Sequence, residues 1–172
     1  NEPTIVITTT DGYIKRLPPD TFHQQSRGGK GVIGVTTKEE EAVEHLLTTN
    51  THDNILFFTN RGRVFQLMAY DIPQTSRTAK GQALVNFLQL APNEKVSSLL
   101  AMKDLEKIKY LVMVTTKGLI KKTAVEDFAN VRKSGLIAIK LKTDDDLQWV
   151  KPSSSSDDVV IATKLGQAIR FK

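Results

Sequence analysis

Along this chain, short runs of apolar, often β-branched residues alternate with polar turns, and four of the runs fall into one register on a glycine. They are IVITTTDGYIKR, ILFFTNRGRVFQ, LVMVTTKGLIKK and VVIATKLGQAIR, anchored at Gly12, Gly62, Gly118 and Gly166 with spacings of 50, 56 and 48 residues. Seven, six and five positions before each anchor the chain is apolar, and three before it stands a threonine: Thr9, Thr59, Thr115 and Thr163. Two after it comes Ile14, Val64, Ile120 or Ala168, and four after it Arg16, Gln66, Lys122 or Arg170. Each unit reads as a β-hairpin whose tight turn uses the glycine at positive φ.

The first three units continue alike. Ten residues past the anchor lie Phe22, Ile72 and Phe128, and a second glycine follows at Gly31, Gly81 and Gly135. It leads into a predicted third strand: VIGV, ALVNFLQL or LIAIKLK. After an acidic or polar turn, a predicted fourth strand covers Val43–Leu47, Val96–Met102 and Leu147–Val150. KEEEAVEHLL on its own has helical spacing. Its repeat partners NEKVSSLLAM and DDDLQWVKP do not, so the repeat predicts a strand. Four strands in about 50 residues indicate an all-β, propeller-like array of blades. The repeats run over approximately 4–50, 54–104, 109–152 and 158–172, the last only a first hairpin, which makes about three and a half blades in one domain spanning 1–172 and gives the chain the look of a fragment. SSSSDD, residues 153 to 158, reads as a loop between blades.

Composition narrows the partners. The 172 residues contain no cysteine, which excludes disulfides and thiolate metal sites and fits a reducing cytoplasm. No run approaches the ~20 apolar residues of a membrane span, and NEPTIVITTT is not a secretory signal. The formal net charge of +5 favours a polyanion.

The cations recur with the repeat. Before the second glycine stand Arg27 and Lys30, Arg77 and Lys80, and Arg132 and Lys133; around the first turn stand Lys15 and Arg16, Arg61 and Arg63, and Lys121 and Lys122. The acids of KEEEAVE, LAPNE and KTDDD fall on the turn before the fourth strand. This pattern predicts one basic and one acidic edge, and a basic strip on a curved array suits a bent phosphate backbone. In QQSRGGKGV the glycines allow close backbone approach to phosphate while Arg27 and Lys30 add charge. The loop lacks the GK[ST] ending of a Walker motif and precedes no helix.

QSRGGKG resembles the seven-residue Q-R-R-G-G-K-G box of the DNA gyrase A C-terminal domain, matching at Gln25, Arg27, Gly28, Gly29, Lys30 and Gly31; Ser26 departs from it. DGYIKR and NTHDNILFFTNRGRVF fit the flanks of the same family. The resemblance implies a six-bladed β-pinwheel, a propeller variant with strands swapped between blades, whose basic perimeter wraps double-stranded DNA. It further implies ATP-driven negative supercoiling by a cytoplasmic heterotetramer of gyrase A with gyrase B, ATP and Mg2+ being used outside this domain and the cleaving tyrosine lying in the N-terminal part. The homologous polypeptide of topoisomerase IV is the alternative within the family, though its box is typically degraded. A basic propeller that binds protein is the alternative outside it.

No catalytic constellation emerges. His23, His45 and His52 lack ligand spacing, so neither metal nor cofactor is expected. Tyr13, Tyr70 and Tyr110 read as packing, Asp144, Asp145 and Asp146 as a solvated turn, and Trp149 as a core residue of a fourth strand.

Overall fold

A computed structural model describes residues 1–21 and 42–172. Phe22, the box Gln25–Gly31 and the predicted strand VIGV lie outside the described residues. The rest is all β with short 3-10 turns. The first unit supplies β1 (Pro3–Thr9), β2 (Tyr13–Leu17) and β3 (Val43–Asn50); the second β4 (Asn54–Thr59), β5 (Arg63–Met68), β6 (Gln82–Ala83) and β7 (Val96–Ala101). The third supplies β8 (Tyr110–Thr115), β9 (Ile120–Ala124), β10 (Leu136–Ile137) and β11 (Leu147–Ser153), followed by the hairpin β12 (Val159–Ala162) and β13 (Ala168–Phe171).

The hairpins form as the repeat requires. Gly12, Gly62, Gly118 and Gly166 all have φ between 77° and 85°, where a side chain is disfavoured. The repeated threonine completes the turn: its Oγ1 accepts the amide of Tyr13, Arg63, Leu119 or Gln167 at 2.9–3.3 Å. KEEEAVEHLL ends in strand β3, as its repeat partners imply.

The sheets are four, with strand orders β3-β1-β2-β6, β10-β5-β4-β7, β11-β8-β9 and β12-β13, and all their ladders are antiparallel. Two predicted third strands therefore need correction. ALVNFLQL contributes only Gln82–Ala83 and LIAIKLK only Leu136–Ile137, and each pairs with the preceding blade rather than its own: Ile14 with Gln82, Val64 with Leu136. Beyond β6 the chain turns into a 3-10 segment, Leu84–Asn86, that buries Leu84 and Leu88.

The core lies between blades. Along β4, Ile55 and Phe57 pack with Val6, Ile14 and Leu84, while Leu56 and Phe58 pack with Leu111, Met113 and Phe128. A strand covered on both faces reads as a continuous apolar run, which is what ILFF is. The closing strands share a β-bulge opposite the threonine, between Thr8 and Thr9, Phe58 and Thr59, and Leu147 and Trp149. The bulge resets the alternation. It puts Leu147 and Val150 inside and leaves Trp149 half exposed, in a hollow with Val112, Val114 and Val160; Trp149 is not the core residue its position suggests.

Candidate nucleic-acid interface

The closing strands β3, β7 and β11 touch one another in succession. His45 Nε2 lies 3.3 Å from the Val96 carbonyl, and Ser97 Oγ donates to the Leu147 carbonyl at 2.8 Å. Where the blades converge is the inside of the array, so β2 with β6, β5 with β10, and β9 form the outer perimeter. The loops before Gly81 and Gly135 reach this perimeter because the strands they feed are swapped. Gly81 and Gly135 make the approach possible. A Cβ at Gly81 would stand 2.4 Å from the Ile14 carbonyl oxygen, and one at Gly135 would stand 2.9 Å from the Phe65 ring.

The perimeter gathers part of the cation set. Arg132, Lys133, Lys121, Lys122 and Lys80 are exposed or half exposed, as are Arg77 and Arg16. Lys80 Nζ sits 4.3 Å over the Tyr13 ring and Lys122 Nζ 4.3 Å over Tyr110, which aligns each ammonium against the face of an aromatic quadrupole. Arg16 Nε donates to the Ile72 carbonyl at 2.9 Å and Nη1 to Gln74 Oε1 at 3.2 Å. Lys121 Nζ donates to the Ala138 carbonyl at 2.9 Å.

Two of the expected contacts are engaged within the protein, Lys15 buried and Arg63 ion-paired at the surface. Lys15 is 2% exposed, and its Nζ donates to the carbonyls of Arg77 and Ala79, each at 2.9 Å. Arg63 makes a bidentate pair with Glu94, Nη2 to Oε1 at 2.5 Å and Nε to Oε2 at 3.0 Å, donates also to the carbonyls of Gln89 and Ser134, and covers the Phe65 ring.

The expected separation of a basic from an acidic edge does not hold either. In an antiparallel pair the start of the closing strand lies beside the end of the first strand, so the acidic turn abuts the hairpin turn: the Asn60 amide donates to the Lys95 carbonyl and the Thr116 amide to the Asp146 carbonyl. Arg61 lines one hollow with Asp144, Asp145 and Asp146. Glu94 and Asp145 are buried rather than solvated. Burial alone pushes the Glu94 carboxyl up, but Arg63, the Ala91 amide and the Thr59 hydroxyl together hold it below its ordinary value. For Asp145 burial likewise acts upward and is outweighed by the Thr115 and Thr116 hydroxyls and the Lys117 and Asp146 amides. Sequence reasoning missed this pairing of threonine and acid, although a signal was present: an acid stands two residues ahead of each closing strand, at Glu41, Glu94 and Asp145, with Glu41 outside the described residues. Among the described residues there is no cluster of acidic or histidine side chains fit to hold a metal, and no helix is long and apolar enough to cross a membrane.

A family model described as DNA gyrase C-terminal domain, beta-propeller, matches residues 3–50, 53–101, 109–154 and 157–172, in phase with the four repeats. The chain belongs to the DNA gyrase C-terminal domain family. Within it, the chain is 52% identical over 171 residues to the DNA gyrase A polypeptide of Clostridium acetobutylicum, covering 99% of this chain and 21% of that protein. It is 44% identical to the DNA gyrase A polypeptide of Halalkalibacterium halodurans, covering 97% and 20%. The chain thus spans about a fifth of the length of these curated relatives, and the part it corresponds to is the C-terminal domain rather than the catalytic part of the polypeptide. A solved DNA gyrase A C-terminal domain superposes with a TM-score of 0.71 at 27% identity, covering 98% of this chain and 54% of that one. The C-terminal domain of a DNA topoisomerase IV gives 0.76 at 25%, covering 98% and 51%. The gyrase family fold accounts for the open, pinwheel-like arrangement of blades.

Proposed function

We propose that this domain binds duplex DNA without sequence preference along its perimeter and bends it, and that in the full polypeptide the bend supports ATP-dependent negative supercoiling. The observation that carries this reading is the recurrence of two cations, Arg77 with Lys80 and Arg132 with Lys133, on the swapped loops that precede Gly81 and Gly135. Cations repeated at the blade spacing on a curved edge follow a bent phosphate backbone, and no recognition helix is present among the described residues to read base edges. Arg16, Lys121 and Lys122 extend the same strip, and Arg61 flanks it at the hairpin turn; the box residues Gln25, Arg27, Gly28, Gly29, Lys30 and Gly31 are assigned to phosphate contact on their glycine and cation content. Lys15 serves it from inside, and Arg63 through its ion pair with Glu94. The rest of gyrase A, together with gyrase B in a cytoplasmic heterotetramer using ATP and Mg2+ elsewhere, supplies the remainder of the reaction.

The test is the salt dependence of binding to random-sequence duplex. Each neutralised phosphate adds ~0.9 to the slope of log K against log salt, so a strip of this kind gives a steep slope and little sequence preference. A slope near zero would falsify the phosphate-tracking perimeter and favour a protein-binding propeller.

A further inference from the structure

Lys15 is the least expected cation of the molecule, since lysine is almost never fully buried without a partner. Its Nζ holds two carbonyls of one short loop, those of Arg77 and Ala79, from the neighbouring repeat unit. No peptide bond in the described chain is cis. In a trans peptide the C=O and the following N–H point in opposite directions. With the Arg77 and Ala79 carbonyls drawn in toward Lys15, the amides of Thr78 and Lys80 are therefore turned out, on the side away from the sheet. The tight turn between them is closed by the Ala79 amide donating to the Ser76 carbonyl at 3.2 Å. Exposure follows the same alternation: Ser76, Thr78 and Lys80 are exposed, while Arg77 and Ala79 are half covered. Gly81, at φ 88° and against the Ile14 carbonyl, seats the loop on β2 as no side chain could.

We propose that Ser76–Gly81 is a preformed cradle for one backbone phosphate of DNA on the rim of the first blade, and that Lys15 is the positioning residue that keeps its amides facing outward. The cradle presents the Thr78 and Lys80 amides, the Ser76 and Thr78 hydroxyls, 3.5 Å apart, and the Arg77 and Lys80 side chains. Outward amides beside cations are what an anion concavity uses. The third unit differs at this place. The counterpart of Lys15 is Phe65, and Arg63, which reaches the Ser134 carbonyl at 3.3 Å, is ion-paired with Glu94. The charge behind that loop is cancelled, so the two rim loops are unequal and the first blade holds phosphate more firmly.

The proposal rests on the DNA reading and is tested in the full-length polypeptide. Hydrogen–deuterium exchange of a peptide spanning residues 76–83 is followed with and without a short random-sequence duplex, alongside the salt slope of binding. In the unmutated protein the duplex slows exchange at Thr78 and Lys80. Lys15→Met, which keeps the stem and removes the donors, abolishes that slowing and lowers the slope by about 0.9, one phosphate, although residue 15 is itself out of reach of DNA. A Lys15 that merely stabilised the fold would leave the slope unchanged in a folded variant, and that result overturns its positioning role. Binding of duplex with no slowing at Thr78 in the unmutated protein overturns the cradle whether or not Lys15→Met folds, and leaves the DNA reading intact. Absence of duplex binding at low salt overturns both.

Discussion

Each of the four described glycine hairpin turns hangs on a threonine hydroxyl, and in the second and third blades a buried carboxylate hangs beside it. Glu94 shows what that is worth. Its oxygens accept from Thr59, from the Ala91 amide and twice from Arg63, whose side chain is 28% exposed while that of Glu94 is fully covered. Hydrogen bonds to a buried charged group are worth about 1.5–3 kcal/mol in net stability. Glu94→Gln keeps the shape and loses the charge, and it is expected to destabilise the domain by roughly 2 kcal/mol, read as a shift in the urea midpoint at neutral pH. The pH dependence has a definite sign. The folded carboxyl is held below its unfolded value, so its contribution is complete above about pH 4–5 and is lost as pH falls through the folded value. The gap between the two proteins should therefore close in acid; a gap that stays constant down to about pH 3, well below the ordinary glutamate value, would mean that the charge is not what Glu94 contributes. The threonine was legible in the sequence because a repeat exposes any residue that recurs in register. Its acid was legible only as charge, because a carboxylate destined for burial and one destined for solvent have the same one-letter code.

Strands were legible where their pairing is local. The hairpins β1–β2, β4–β5 and β8–β9 and their glycine turns follow from apolar runs and turn chemistry within a dozen residues. ALVNFLQL and LIAIKLK misled because their alternation satisfies a strand, while their true partners lie in another repeat unit and offer only two residues of ladder. Periodicity reports which side of a segment is buried, not which edge it meets. The glycines separate these two kinds of element. Gly12 has φ 82° and open space around a hypothetical Cβ, whereas Gly81 has φ 88° and the Ile14 carbonyl oxygen 2.4 Å from that position. Gly12→Ala should cost the ~1–2 kcal/mol of a left-handed residue. Gly81→Ala adds overpacking against backbone and should cost roughly 3 kcal/mol or more. It should also lift β6 from β2, seen as faster amide exchange at Gln82–Ala83 with β4 still protected. Equal costs for the two substitutions would show that the swapped strand is held by the burial of Leu84 and Leu88 alone.

At the scale of the whole molecule, a repeat with a fixed charge phase implies a rim, but which charges reach it depends on the swap. The swap carries Arg77, Lys80, Arg132 and Lys133 outward, while antiparallel pairing draws Arg63 toward Glu94. The box Gln25–Gly31 lies outside the described residues. The loop with Arg77 and Lys80 and the loop with Arg132 and Lys133 leave enough cations to bind duplex without the box, so binding and bending should separate. Bending 20–30 base pairs by 40–90° costs on the order of 1–6 kcal/mol and is sustained only if contacts hold both ends of the curve. The box combines three glycines with Arg27 and Lys30 within the first repeat unit of the sequence, so it joins the capacity for close backbone approach to positive charge. Replacing Gln25–Gly31 with alanines in the intact enzyme is expected to abolish negative supercoiling and spare relaxation. In the same variant duplex affinity should fall only a few-fold, while energy transfer between dyes at the two ends of a bound duplex should drop to the value of unbent DNA. If transfer is unchanged while the variant remains folded, the glycines serve only to turn one strand into the next, and the bend is held by the swapped loops themselves.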